Sequence, residues 1–276
     1  MTRSALLALL ALSAGLLLQL SFVSGMQHSA AQQRAFDRFR SELAEGTAPI
    51  GPTDYENSVL DPAAPVALLE IPTIGISEVV GQGTTASDLF VGPGHRRDTP
   101  LPGQIGVSLL FGRRAAYGGP FGNIGDLVEG DLISVTTGQG TFEYRVLGVR
   151  REGDPLPEPL APGSSRLVLA TADGRSFLPS GVLRVDADIS GTPVGGPARL
   201  ITDDQLPVEE RLMAADRRTL WVLVLWLQAL IAISISAVWA WHRWGRAQTW
   251  IVLLPPLALV GLATAGEVAR LLPNLT

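Results

Sequence analysis

The side chains that carry most enzymatic chemistry are sparse in this chain. Its 276 residues include no cysteine and, read through, no lysine, so the positive charges are arginines accompanied by three histidines. No thiolate can serve as nucleophile or metal ligand, and no lysine amine can enter an isopeptide bond. The remaining candidates gather around one apolar run, Leu167-Val-Leu-Ala-Thr-Ala-Asp173. It ends in the hydroxyl of Thr171, the inert Ala172 and the carboxylate of Asp173, with Ser176 just beyond. Neighbouring strand residues point to opposite faces, so if position 172 faces a groove, Thr171 faces away from it. His95, in Gly92-Pro-Gly-His95, is the one histidine of the central region, in a setting that suits a turn-stabilising side chain. Arg113 and Arg184 offer fixed positive charge, because a guanidinium keeps its proton at any working pH. No cofactor and no metal site is expected.

The elements that must position these residues are strands. Runs at 66–71, 107–111, 132–135 and 166–169 are short and apolar, and those at 141–147 and 182–187 alternate with period two. Gly138-Gln-Gly140 reads as the turn of a hairpin. Short strands between Gly/Pro turns, with no long helix among them, predict an all-β core closed into a barrel or sandwich over residues 66–190. Before it, residues 26–65 read as a stalk helix, centred on Gln32–Ala44, and a Gly/Pro linker. After it, residues 191–219 read as a flexible linker leading to a polar juxtamembrane helix.

Apolar residues crowd into blocks at both ends. Ser4 to Val23, within residues 1–25, is long enough for a transmembrane anchor. A cleaved signal segment ending near Val23-Ser-Gly25 is the competing reading. Residues 220–241 and 249–268 read as two further transmembrane helices, with tryptophans at interfacial positions and Pro255-Pro256 expected to bend the second. A cytoplasmic start would place the middle region outside, the Arg243/Arg246 loop inside and residue 276 outside. A net charge of −5 without a basic run excludes nucleic acid as the expected partner.

The order of motifs in the central region resembles the sortase family of cell-surface cysteine transpeptidases. Leu69-Glu-Ile-Pro72 with Ile74 and Val79 is similar to the family's opening strand. Leu89-Phe-Val-Gly-Pro-Gly-His95, Thr99 and Leu101-Pro-Gly103 resemble the segment before the catalytic histidine. Gly112-Arg-Arg114, Tyr117-Gly-Gly-Pro-Phe121 and Leu127-Val-Glu-Gly-Asp131 continue the likeness, and the Leu167 run matches the strand that carries the nucleophile. The Gly-Pro-Gly-His and Leu-Pro-Gly elements are most like actinobacterial class E members, Gram-positive cell-wall enzymes. The resemblance implies a sortase-like β-barrel in which Ala172 stands at the cysteine position, Arg113 at the histidine position and Arg184 at the retained arginine.

The resemblance leaves one of three catalytic roles in place, so enzymatic activity is an open question. The leading expectation is a catalytically degenerate pseudosortase in the plasma membrane, its barrel extracellular, with Thr171, His95, Arg113 and Arg184 as binding candidates. It would bind or present a sorting-signal peptide, or scaffold surface-protein assembly, with an active sortase as a further partner. Arg113 and Arg184 in one groove would suit a carboxylate or phosphate. The bland alternative pairs Arg113 with Asp173. Two other readings stand beside it: a transpeptidase or hydrolase with a non-cysteine nucleophile, and a membrane-partner protein acting through its C-terminal helices.

Overall fold

The computed structural model describes Gln19 and residues 23–198, 200–216 and 220–276, with only the backbone of Arg246. The expected anchor at 4–23 lies almost wholly outside the described residues. Two compact units result. One comprises Ser24–Ala215 together with Pro273–Thr276, and the other contains Asp216–Leu272.

The first unit is built on eight strands: β1 (Pro65–Ile71), β2 (Ile76–Gln82), β3 (Gly94–His95), β4 (Gly106–Phe111), β5 (Leu132–Thr137), β6 (Gly140–Arg150), β7 (Ser165–Arg175) and β8 (Leu178–Ile189). They close into a barrel in the order β1-β2-β3-β4-β7-β8-β6-β5. The β2–β3 and β4–β7 pairs are parallel and the others antiparallel. Closure leaves no long unpaired edge.

Period-two patterning builds the core. Along β6, Phe142, Tyr144 and Val146 are buried while Thr141, Glu143 and Arg145 are exposed, so one face enters the barrel. Leu69, Ile71, Leu110, Ile133, Leu167, Leu169 and Val185 fill the same interior. Strand β7 departs from this pattern, being buried continuously from Ser165 to Ala172. A strand covered on both faces reads as an unbroken apolar run, and something must therefore lie against its outer face.

Helix α1 (Ser24–Glu45) is longer than the polar run suggests and does not stand away from the barrel as a stalk. Phe39 is buried with Val79 and Ala48. Gln32 clasps the backbone, its Nε2 donating to Val79 O (3.0 Å) and Val91 O (2.9 Å) and its Oε1 accepting from Val79 N (2.7 Å). The connections also differ from flexible linkers. Residues 46–64 bury Ala48, Leu60 and Ala64, and Ile105 N donates to Val194 O. In place of a juxtamembrane helix are two 3-10 turns, Asp203–Gln205 and Val208–Glu210. Pro207 breaks helical continuity, and Glu210 is drawn into a buried ion pair with Arg97, Nε to Oε2 3.0 Å.

In the second unit, α2 (Leu220–Trp244) and α3 (Arg246–Arg270) are long and apolar enough to cross a membrane, with mean hydropathy 2.2 and 1.8 over their most apolar stretches. They turn at Gly245, whose φ of 94° lies in the region glycine favours. The rings of Trp241 and Trp250 pack edge-on at 6.2 Å. Helix α3 runs through Pro255-Pro256 without interruption.

Because Gln32 satisfies three backbone or amide groups at once, Gln32→Ala is expected to lower the barrel's stability by about 1–3 kcal/mol. Thermal unfolding of the detergent-solubilised protein, followed by circular dichroism, measures the loss. An unchanged midpoint would show that the helix is not clasped there.

Candidate functional site

The register of β7 and β8 decides which side chains share a face. Ala172 lies opposite Val182, and Ala170 opposite Arg184, while Thr171 lies opposite Leu183. Directly opposed residues project to the same side. Leu183 belongs to the barrel core, so Ala170, Ala172, Val182 and Arg184 face outward together and Thr171 does not. The Thr171 hydroxyl is fully buried and donates to Gly112 O at 2.9 Å, which fastens β7 to the segment leading into Arg113. The Thr171 hydroxyl therefore does not share the face of Ala172.

Arg113 follows directly on β4. Gly112 precedes it where an added Cβ would sit 2.4 Å from the Phe121 ring, so close packing fixes the approach. The Arg113 side chain is fully buried, an unusual state for a guanidinium. Its Cζ lies 4.8 Å from the Phe90 ring centroid and 5.3 Å from that of Tyr117, and those two rings stack at 3.9 Å. Its Nη2 donates to Ala86 O (2.9 Å) and its Nη1 to the backbone oxygen of Thr276 (3.0 Å). Burial lowers its pKa to about 10, against a smaller upward pull from Tyr117. It remains a cation at neutral pH and cannot shuttle a proton there.

The alternative pairing of Arg113 with Asp173 is not what the structure shows. Asp173 meets Arg151 at 3.4 Å, and Arg113 donates from Nη1 and Nη2 to carbonyl oxygens and lies over ring faces instead, its buried Nε unpaired. Arg184 stands on the outer face beside Arg150, its register partner. Partial burial and the Arg150 charge lower its pKa, with Asp186 and Glu152 opposing. Arg150 itself is held by Asp186, Nη2 to Oδ1 3.2 Å.

Two participants escaped the sequence reading. Arg114 donates from Nη1 to Ala172 O (3.0 Å) and from its backbone N to Leu275 O (2.9 Å). Leu275 packs in one buried cluster with Leu89, Phe111, Ala170 and Ala172, flanked by Val182, Leu212 and Met213. This is the material that covers the outer face of β7. The doubled arginine at 113–114 was the available signal for Arg114, whereas nothing in the pattern of residues 273–276 marks them.

His95 lies opposite Leu110, a core residue, and so turns into the barrel rather than toward Ala172. Its Nδ1 pairs with Gln82 Oε1 (2.9 Å) and its Nε2 with Pro100 O (3.0 Å). It borders a cavity of about 330 Å³ whose lining includes none of Arg113, Ala172 and Arg184. Burial pulls its pKa down to about 4.

That depression has a sign. A free histidine titrates near 6.5, so between pH 6.5 and 4 the unfolded chain binds a proton the folded barrel refuses. Stability is expected to fall as pH drops through this window, by up to about 3 kcal/mol. His95→Gln should flatten the profile, and unfolding midpoints at pH 7.5 and 4.5 measure it; an equally steep loss in the variant would assign it to other groups. Arg113→Ala strips the partner from two buried oxygens and from both rings, and should cost about 2–4 kcal/mol. The same unfolding assay reads that loss, and a variant as stable as the parent would contradict the burial of Arg113.

Residues 69–173 match the family model described as the Sortase domain. Sortase D of Bacillus subtilis (strain 168) is 34% identical over 80 residues, which are 29% of this chain and 39% of that protein's length. The chain thus spans well under half of this curated relative. Among solved structures, a Clostridium perfringens Sortase D5 transpeptidase is similar at 21% identity and TM-score 0.49, covering 59% of this chain and 99% of the other. Sortase C-1 from Actinomyces oris is similar at 24% identity and TM-score 0.41, covering 56% and 99%. Over residues 69–173, most of the β-barrel, this chain is thus similar to the Sortase domain.

Proposed function

We propose that this protein is a membrane-tethered, catalytically degenerate sortase-type protein whose groove binds peptide without breaking it. The observation that carries this is the state of the outer face of β7. Ala172 stands where a nucleophile is expected and is packed among Leu89, Phe111 and Ala170. Acyl transfer needs a nucleophile and a group able to carry its proton. Ala172 has no reactive atom, and Arg113 holds its proton in a fully buried site. What these residues do retain is recognition. Arg113 and Arg114 aim donors at main-chain oxygens, the atoms every peptide ligand presents.

The helical hairpin of α2 and α3 supports membrane attachment. We assign the barrel to the extracellular side, where it would hold or present a sorting-signal peptide, or support an active sortase acting on one. The class E likeness of the Gly92–His95 and Leu101–Gly103 elements belongs to the same proposal.

The full-length protein in detergent, incubated with a sorting-signal peptide and an amine acceptor, is expected to release no product by mass spectrometry. A catalytically active sortase serves as the positive control. Product above that of a heat-inactivated sample would overturn the noncovalent reading.

A further inference from the structure

The groove over β7 is filled by this chain's own segment Pro273–Thr276. We propose that this segment is a resident ligand of the groove, a tethered peptide that free peptides must displace; this rests on reading the groove as a peptide site.

The contacts are those of recognition along a main chain. Asn274 N donates to Ala214 O (2.8 Å), and Asn274 Nδ2 donates to both Thr84 O (2.8 Å) and Arg211 O (3.0 Å). Leu275 O accepts from Arg114 N (2.9 Å), and Thr276 O accepts from Arg113 Nη1 (3.0 Å). Asn274 and Leu275 are fully buried, and Thr276 is 2% exposed. Between these bonds the Leu275 side chain enters the cluster formed by Leu89, Phe111, Ala170 and Ala172. Successive positions are thus read as a carboxamide, an aliphatic side chain and two main-chain oxygens. Thr276 N donates to Pro273 O (3.0 Å), so the segment is held as a turn, and the ligand class this selects is a short peptide turn bearing Asn followed by a residue such as Leu.

The residues at the degenerate catalytic positions are the ones that bind it. Arg113 gives the segment a hydrogen bond from a desolvated cation, stronger than a neutral donor would make. Ala172 adds apolar surface to the Leu275 pocket at the position the resemblance gives to a nucleophile. Arg114 grips both sides, donating to Ala172 O and to Leu275 O. Tethering raises the local concentration of the segment into the range of millimolar, so an untethered peptide of equal intrinsic affinity competes poorly.

The absence of cysteine makes the test clean, since Ala172→Cys introduces the sole thiol of the chain. Maleimide labelling of this variant, full-length in detergent, is expected to be slow. Ending the chain at Leu272, or substituting Leu275→Asp within it, should each speed labelling at least tenfold, with an unchanged circular dichroism spectrum confirming the fold. Equal rates with and without the segment would overturn the inference and leave the peptide-site reading untouched. Adding the peptide Leu-Pro-Asn-Leu-Thr to the shortened variant should slow labelling again. If the segment protects but the free peptide does not at millimolar concentration, the groove selects only a tethered segment, and the reading as a general peptide site fails instead.

Discussion

A fully buried guanidinium constrains the whole outer face of this barrel. Arg113 cannot be left without partners in a water-poor site, because desolvating a charge costs several kcal/mol before any contact offsets it. Its surroundings supply the compensation: the stacked rings of Phe90 and Tyr117, the Ala86 carbonyl and the backbone oxygen of Thr276. Remove any one wall and the charge meets either water or a void. The loop carrying Ala86 and Phe90, the Gly118–Gly119 turn after Tyr117 and the segment Pro273–Thr276 are therefore tied to one another through a single side chain. Position 113 in this protein works as a structural post.

That arrangement changes the meaning of Ala172. In isolation an alanine at the end of a strand reads as the loss of a nucleophile. In the folded protein it is part of a small apolar pocket that receives Leu275. The larger patch continues along Ala170 and Phe111, both on the outward side by register, and its rim is closed by Leu212 and Met213. The chain just before α2 and the chain just after α3 thus meet over the same strand, with Asn274 N bonded to Ala214 O. The barrel carries a cover made from its own sequence.

The barrel was legible in the residues for physical reasons. Strands β5, β6 and β8 announce themselves through alternation or β-branched runs, and the β5–β6 hairpin through Gly138-Gln-Gly140. Strand β3 was not legible because it is two residues long and is defined by its neighbours, not by any pattern of its own. The start of α1 at Ser24 was obscured by the apolar stretch that runs into it. A four-residue segment such as 273–276 carries no period at all, so its place is set entirely by tertiary contacts. At the site, the outward and inward assignments of Ala172 and Thr171 followed from strand parity. The burial of Arg113 did not, since nothing local distinguishes a guanidinium that will be sandwiched from one that will be solvated.

Under native conditions the outer face of β7 is expected to be occupied by a peptide segment held through Arg113 and Arg114. Hydrogen exchange of the intact protein, read by mass spectrometry, tests it most directly. The amide of Asn274, bonded to Ala214 O, and that of Arg114, bonded to Leu275 O, are predicted to exchange as slowly as amides of β7 itself. Exchange of Asn274 within seconds, at the rate of an unstructured chain, would contradict the account.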